Sequence, residues 1–355
     1  MTSLFDPLTL GAVTMRNRIV MAPLTRSRAG EARIPNELMA EYYAQRAGAG
    51  LIVSEATSVM PMGVGYEATP GIWSDAQALG WARVTEAVHA RGGLIFLQLW
   101  HVGRISDPQL LDGETPVAPS AIQPGGHVSL LRPMRPYVTP RALETDEIPA
   151  IVAAYADATR RARHAGFDGV EIHAANGYLI DQFLQDRSNQ RDDHYGGPVE
   201  NRARLLCEIT DAVSAAWSPD RVGVHLSPRG DAHDVGDSDP VALFTHVARQ
   251  MRDRGVAFLF LREHPGDDSL LPVIRDTFGG PVIANEGLTR EIAETLLAEG
   301  RADAVGFGRD FIATPDLPER FRRGLPLNDH NPATFYAGGA EGYTDYPALT
   351  GIAAE

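Results

Sequence analysis

The chain has 355 residues, 44% of them apolar and 22% charged, and its 46 acidic against 32 basic side chains leave a formal net charge of −14. All 32 basic positions are arginine, which excludes Schiff-base chemistry, a lysine-dependent aldolase, pyridoxal attachment and a Walker-type phosphate lysine. A single cysteine, Cys207, excludes an intrachain disulfide, a cysteine-rich zinc site and a protein-held iron–sulfur cluster, and the acidic balance argues against nucleic acid or an anionic membrane as partner.

In chain order, short aliphatic or β-branched runs alternate with helical patterns. The start, MTSLFDPLTLG, lacks the basic and apolar regions of a signal peptide, and no stretch approaches 18 apolar residues, so a soluble cytoplasmic protein is expected. The run 18–22 (RIVMA) precedes a helical pattern at 36–48, and 51–54 (LIVS) precedes one at 75–92. The run 94–99 (LIFLQL) leads into a long connection, 105–145, with seven prolines and little periodicity, expected to form a lid or insertion. A helix at 147–165 follows, with Arg160, Arg161 and Arg163 on a solvated face. Then come 169–173 (GVEIH) with a helix at 199–217, 222–226 (VGVHL) with 240–255, and 257–261 (AFLFL) with 268–278. The last two runs, 281–284 (PVIA) with a helix at 289–299 and 304–307 (AVGF), precede an extension at 325–355. Eight unalternating apolar runs, each followed by a helix, predict strands buried on both faces and a single (β/α)8 TIM barrel spanning 1–355. An open doubly wound sheet is disfavoured because no early run is followed by a dinucleotide fingerprint.

In such a barrel the chemistry sits at the carboxyl ends of the strands. Those ends carry Pro23, Leu24 and Thr25; Ala56; Gln98 to His101; His173 to Tyr178; His225; Arg262; Asn285 to Gly287; and Gly308 with Arg309. The segment EIHAANGYLIDQFL, 171–184, is the most informative: His173 and Asn176 can both donate to one substrate oxygen, and Tyr178 carries a phenolic proton. Two donors and a phenol suit a reaction that builds charge on a carbonyl oxygen and then needs a proton. Gly287, Gly308 and Arg309, on the last two loops, form a candidate phosphate cradle, which the carboxylate of Glu286 opposes unless it points away. No residues at metal-ligand spacing accompany His173, so no metal is expected.

With NRIVMAPLTR (17–26), SEAT (54–57), LQLWHVGRIS (97–106), YGGPVENRARLL (195–206) and GFGRDFIATPDLPERF (306–321) added, the chain resembles the Old Yellow Enzyme family of flavin-dependent ene-reductases along nearly its whole length. HLSPRGDAH (225–233) and the ANEGLT loop are most similar to the bacterial cyclohexenone and enoate reductase branch. The resemblance implies non-covalent FMN, with NADPH or NADH as hydride donor and electron-poor alkenes as substrates. It assigns Pro23, Leu24, Thr25, Ala56 and Gln98 to the flavin ring, and Gly287, Gly308 and Arg309 to its phosphate. His173 and Asn176 match the pair that binds the substrate oxygen, Tyr178 matches the proton donor, and Tyr66, Trp100 and Tyr336 match positions lining the substrate pocket. Two positions depart from the family pattern. His225 occupies a strand-five slot where most relatives carry an arginine facing the flavin, and Arg229 is the expected substitute. Glu286 stands where many relatives have glycine. A monomer or homodimer is expected. The alternatives are reductive cleavage of nitrate esters or nitroaromatics by the same flavin, or a flavin-binding redox sensor; a dienoyl-CoA reductase would need a cysteine cluster that Cys207 alone cannot supply.

Overall fold

A computed structural model describes residues 2–336 and 338–349. Residue 337 and residues 350–355 of the predicted C-terminal extension lie outside the described residues. Eight parallel strands form the centre: β1 (Ile19–Met21), β2 (Leu51–Val53), β3 (Ile95–Trp100), β4 (Gly169–Ala174), β5 (Val222–Leu226), β6 (Phe258–Arg262), β7 (Val282–Asn285) and β8 (Ala304–Phe307). Each pairs with the next, β8 pairs back onto β1 with Gly306 opposite Val20, and β2 joins β3 through Ile52 opposite Ile95. The sheet therefore closes into a (β/α)8 TIM barrel. Around it run α1 (Glu37–Gln45), α2 (Asp75–His89), α3 (Ile148–His164), α4 (Arg204–Ala216), α5 (Pro240–Arg254), α6 (Leu271–Phe278), α7 (Arg290–Ala298) and α8 (Leu317–Arg323). The helix expected over 199–217 is interrupted at Ala203, whose ψ of −10° separates a short turn, Val199–Arg202, from α4.

Side-chain alternation along the strands produces two cores. Outward residues such as Ile52, Leu97, Ile172, Val224 and Leu259 pack against the helices. Inward residues Val20, Leu51, Phe96, Phe258, Phe260 and Ile283 fill the lower half of the barrel, and a hairpin of Leu8–Leu10 with Val13–Met15 plugs its base with Leu10, Val13 and Met15. Both layers are buried, so the barrel is open only at its carboxyl end.

Two segments wall that end. In the connection after β3, Val117–Ala118 pairs with Arg141–Ala142, and Val128, Leu131 and Tyr137 form a satellite cluster with Tyr66 and Trp100. After α8, the chain is held by arginines. The Arg26 guanidinium donates to the carbonyls of Phe335 at 3.0 Å and Gly342 at 2.8 Å. That of Arg46 donates to Phe311 and Ile312, each at 2.7 Å, and Tyr343 stacks on Tyr42 with ring centres 4.0 Å apart. Arginine, with five donors in a fixed fork, suits this task of collecting several carbonyls.

Candidate active site

The loop after β4 is built around two residues in the left-handed region. Asn176 has φ of 60° and Gly177 of 74°; asparagine tolerates this conformation, and at 177 a Cβ would lie 2.2 Å from the Ala232 carbonyl oxygen, so only glycine fits. The Asn176 N–H donates to Ser227 Oγ at 2.8 Å and the Gly177 N–H to the carboxylate of Asp181 at 2.8 Å. The turn delivers Tyr178 to the start of a short helix, Leu179–Leu184, with its hydroxyl 3.0 Å from that of Tyr66. Trp100 stacks on Tyr66 at 5.6 Å and meets the Tyr178 ring edge-on at 5.0 Å.

Burial dominates the titration of these groups. It drives the His173 imidazole well below its ordinary range, with the charges of His225, Arg262 and His233 adding to the effect, so the ring is neutral at physiological pH and keeps one N–H to donate. Burial raises Tyr178, which holds its proton at any working pH. It also pushes the Asp181 carboxyl up to about 6, against the pull of hydrogen bonds from Gln185, Gly177 and Ser227.

The mouth of the barrel opens into a cavity of ≈ 720 Å³. Pro23, Leu24, Thr25, Ala56, Tyr66, Gln98, Trp100, His173, Asn176, Tyr178, Gly287, Gly308, Arg309 and Tyr336 all line it, as does Phe335. Among the sequence-predicted site residues only Arg229 does not. Its Nε donates to Glu263 at 3.1 Å, and its terminal nitrogens contact Asp268 and the His264 carbonyl. The expectation that Arg229 replaces the flavin-facing arginine is thus corrected: two carboxylates draw it to the outer side of the loop. Glu286 does point away from the phosphate cradle, its carboxylate accepting from Arg262 at 2.8 Å.

Sequence reasoning missed two side chains. Glu171 lies fully buried two residues before His173, on the same strand face; it accepts from Gln98 Nε2 at 2.6 Å and stands 3.3 Å from His225 Nδ1. Arg262 was noted at a strand end but given no role; it lines the cavity and donates to Asn176 Oδ1 at 2.6 Å. Strand alternation could have revealed both, since Glu171 shares parity with His173 and Arg262 with Phe258 and Phe260.

A sequence profile of the NADH:flavin oxidoreductase / NADH oxidase family matches residues 3–328. The solved structure of an Old Yellow Enzyme homologue from Zymomonas mobilis superposes with a TM-score of 0.96 at 49% identity, covering 98% of this chain and all of that one (100%). The chain belongs to the Old Yellow Enzyme family. Morphinone reductase in complex with tetrahydroNAD superposes with a TM-score of 0.95 at 48% identity, covering 98% of each chain. Among curated proteins, 12-oxophytodienoate reductase 2 of Arabidopsis thaliana is 40% identical, over 99% of this chain and 96% of its own length. A probable flavin mononucleotide-dependent alkene reductase of Leishmania infantum is 42% identical, over 98% of this chain and 97% of its own.

As an Old Yellow Enzyme, the chain is an NAD(P)H-dependent oxidoreductase whose cofactor is FMN. The cavity fits that cofactor. Buried polar atoms without a partner among the described residues gather at its lining: His173 Nδ1, His225 Nε2 and Trp100 Nε1, with Glu171 Oε1 behind them. Such atoms are costly to bury unmatched, and a heteroaromatic ligand edge would satisfy them. Gly287, Gly308 and Arg309 supply an anion-compatible wall in the same cavity. Among the described residues no group of three or more His, Cys, Asp or Glu could hold a metal ion, and no helix is long and apolar enough to cross a membrane.

Proposed function

We propose that the protein reduces the C=C bond of alkenes conjugated to a carbonyl or nitro group, taking hydride from NADPH or NADH in a ping-pong cycle, and that it acts as an enone reductase of the cyclohexenone and enoate reductase kind. The observation that carries this reading is the convergence of His173, Asn176 and Tyr178 on one cavity wall. FMN, when bound, accepts hydride from the nicotinamide and passes it to the alkene β-carbon.

The chain's own residues do the rest. His173, neutral, and Asn176 donate hydrogen bonds to the substrate oxygen, withdrawing electron density from the alkene and strengthening as enolate charge develops. Tyr178 gives its proton to the α-carbon, and the Tyr66 hydroxyl at 3.0 Å is placed to pass a proton back to it. Pro23, Leu24, Thr25, Ala56 and Gln98 bound the flavin ring, while Gly287, Gly308 and Arg309 hold its phosphate. Trp100, Tyr66 and Tyr336 shape the alkene pocket, with the connection after β3 and the segment after α8 as its outer walls. A passive flavin store would need no phenol beside a pair of oxygen donors, which favours turnover over a sensor role.

The test is the visible spectrum of the purified protein under anaerobic conditions. The flavin band should bleach with NADPH and return when 2-cyclohexenone is added. Protein that stays colourless after incubation with FMN, or that bleaches and is not reoxidised by the enone, overturns the reading.

A further inference from the structure

Arg262 occupies an unusual position: it is clamped between two residues that both hold left-handed backbone. Asn176, with φ of 60°, offers its side-chain oxygen to one guanidinium nitrogen at 2.6 Å, and Glu286, with φ of 88°, offers its carboxylate to the other at 2.8 Å. For a glutamate, that φ costs roughly 1–2 kcal/mol relative to ordinary backbone. Arg262 reaches this point because β6 alternates: Phe258 and Phe260 fill the barrel below, and the next inward position opens into the cavity.

We infer that Arg262 is a positioning residue for substrate oxygen binding, fixing the rotation of the Asn176 amide, with Glu286 anchoring the guanidinium. A side-chain amide can present either its N–H or its oxygen by turning over. Turned the wrong way, Asn176 would set a lone pair against the carbonyl oxygen it is meant to hold. Guanidinium has donors and no acceptor, so it tolerates only the Asn176 oxygen, and the amide N–H is left to face the ligand. The carboxylate that the sequence set beside the phosphate cradle therefore has a different task, two strands' width away in chemistry: it orients the arginine that orients the asparagine. This inference rests on the proposed roles of His173 and Asn176.

The test uses FMN-loaded protein titrated with cyclohexanone, an unreactive ketone, followed through the flavin absorbance shift. Arg262→Met should weaken ketone binding about tenfold, as expected for loss of a charge-assisted hydrogen bond network, with a parallel rise in KM for 2-cyclohexenone and unchanged FMN affinity. In an Asn176→Ala background the same substitution should have no effect, because there is no amide left to orient. Glu286→Gln, a milder change that keeps an acceptor, should show a smaller loss with the same dependence on Asn176. Losses that are equal in both backgrounds overturn the positioning role and leave the proposed activity standing. Wild-type protein that binds FMN yet gives no ketone-induced shift overturns both.

Discussion

The two ends of the barrel are built from the same eight strands and differ in almost everything else. Along β6 the inner face reads Phe258, Phe260, Arg262, and along β3 it reads Phe96, Gln98, Trp100. One step of two residues changes the lining from a closed apolar core, plugged by Leu10, Val13 and Met15, to a cavity edged with unmatched polar atoms. The lower end satisfies itself through packing. The upper end is left incomplete by the chain, and that incompleteness marks the place of a ligand better than any single residue does.

If the ends are separable in this way, substitutions at one should leave the other's property intact. The largest effect is expected from Tyr178→Phe, which should slow flavin reoxidation by an enone roughly 10²–10⁴-fold, the usual contribution of a positioned acid, while flavin reduction and melting temperature hold. Stopped-flow measurement of the two half-reactions decides this, and equal loss in both would sink the proton-donor role. At the other end, Phe258→Ala should cost about 3–5 kcal/mol in denaturant unfolding of the FMN-free protein, since the ring is fully buried against Phe96 and over Gly223. Its FMN affinity, measured by fluorescence quenching, should remain that of the wild type; a parallel drop would mean the two ends are coupled.

Asp181 tests the boundary between them. Its carboxyl rises from an ordinary 3.8 to about 6 in the folded protein, chiefly through burial, so folding favours the protonated form. Its contribution to stability is present in full below about pH 4, falls between pH 4 and 6 and is lost above, amounting to about 3 kcal/mol at 1.36 kcal/mol per pKa unit. The stability difference between wild type and Asp181→Asn should therefore shift by that order between pH 4 and pH 7, in favour of asparagine at the higher pH. A difference independent of pH would show that the buried carboxyl is not titrating there. The smallest effect is expected at the anion wall: Arg309→Ala should weaken FMN binding about ten- to a hundredfold, the equivalent of about 1.5–3 kcal/mol for a hydrogen bond to a charged group, and leave riboflavin binding unchanged. Equal losses for both flavins would remove Arg309 from the phosphate.

Much of this was legible in the sequence, for a physical reason. Strands buried on both faces must be continuously apolar, and 222–226 and 304–307 were readable to the residue because nothing polar interrupts them. The loop 171–184 was readable because histidine, asparagine and tyrosine crowd a strand end where apolar side chains would otherwise stand. What the sequence hid was pairing at long range. Position 229 lies near the right strand, yet Glu263 and Asp268, 34 and 39 residues on, decide where its guanidinium goes. Likewise Glu286 looked repulsive toward an anion until Arg262 was seen to occupy it. Local pattern specifies elements and strand ends well; which charge meets which depends on closure of the barrel.

The arginine-held segment after α8 has a consequence for how the protein is made. All eight strands leave the ribosome before Phe335 and Tyr336 do, and those two residues form part of the cavity wall. The carbonyls that Arg26 collects from Phe335 and Gly342 are therefore among the last groups to arrive. The barrel can close co-translationally while its cofactor site still lacks a side. Firm retention of the flavin becomes a post-barrel event, timed by the docking of one short stretch of chain onto two guanidinium groups that have been waiting since the first strand.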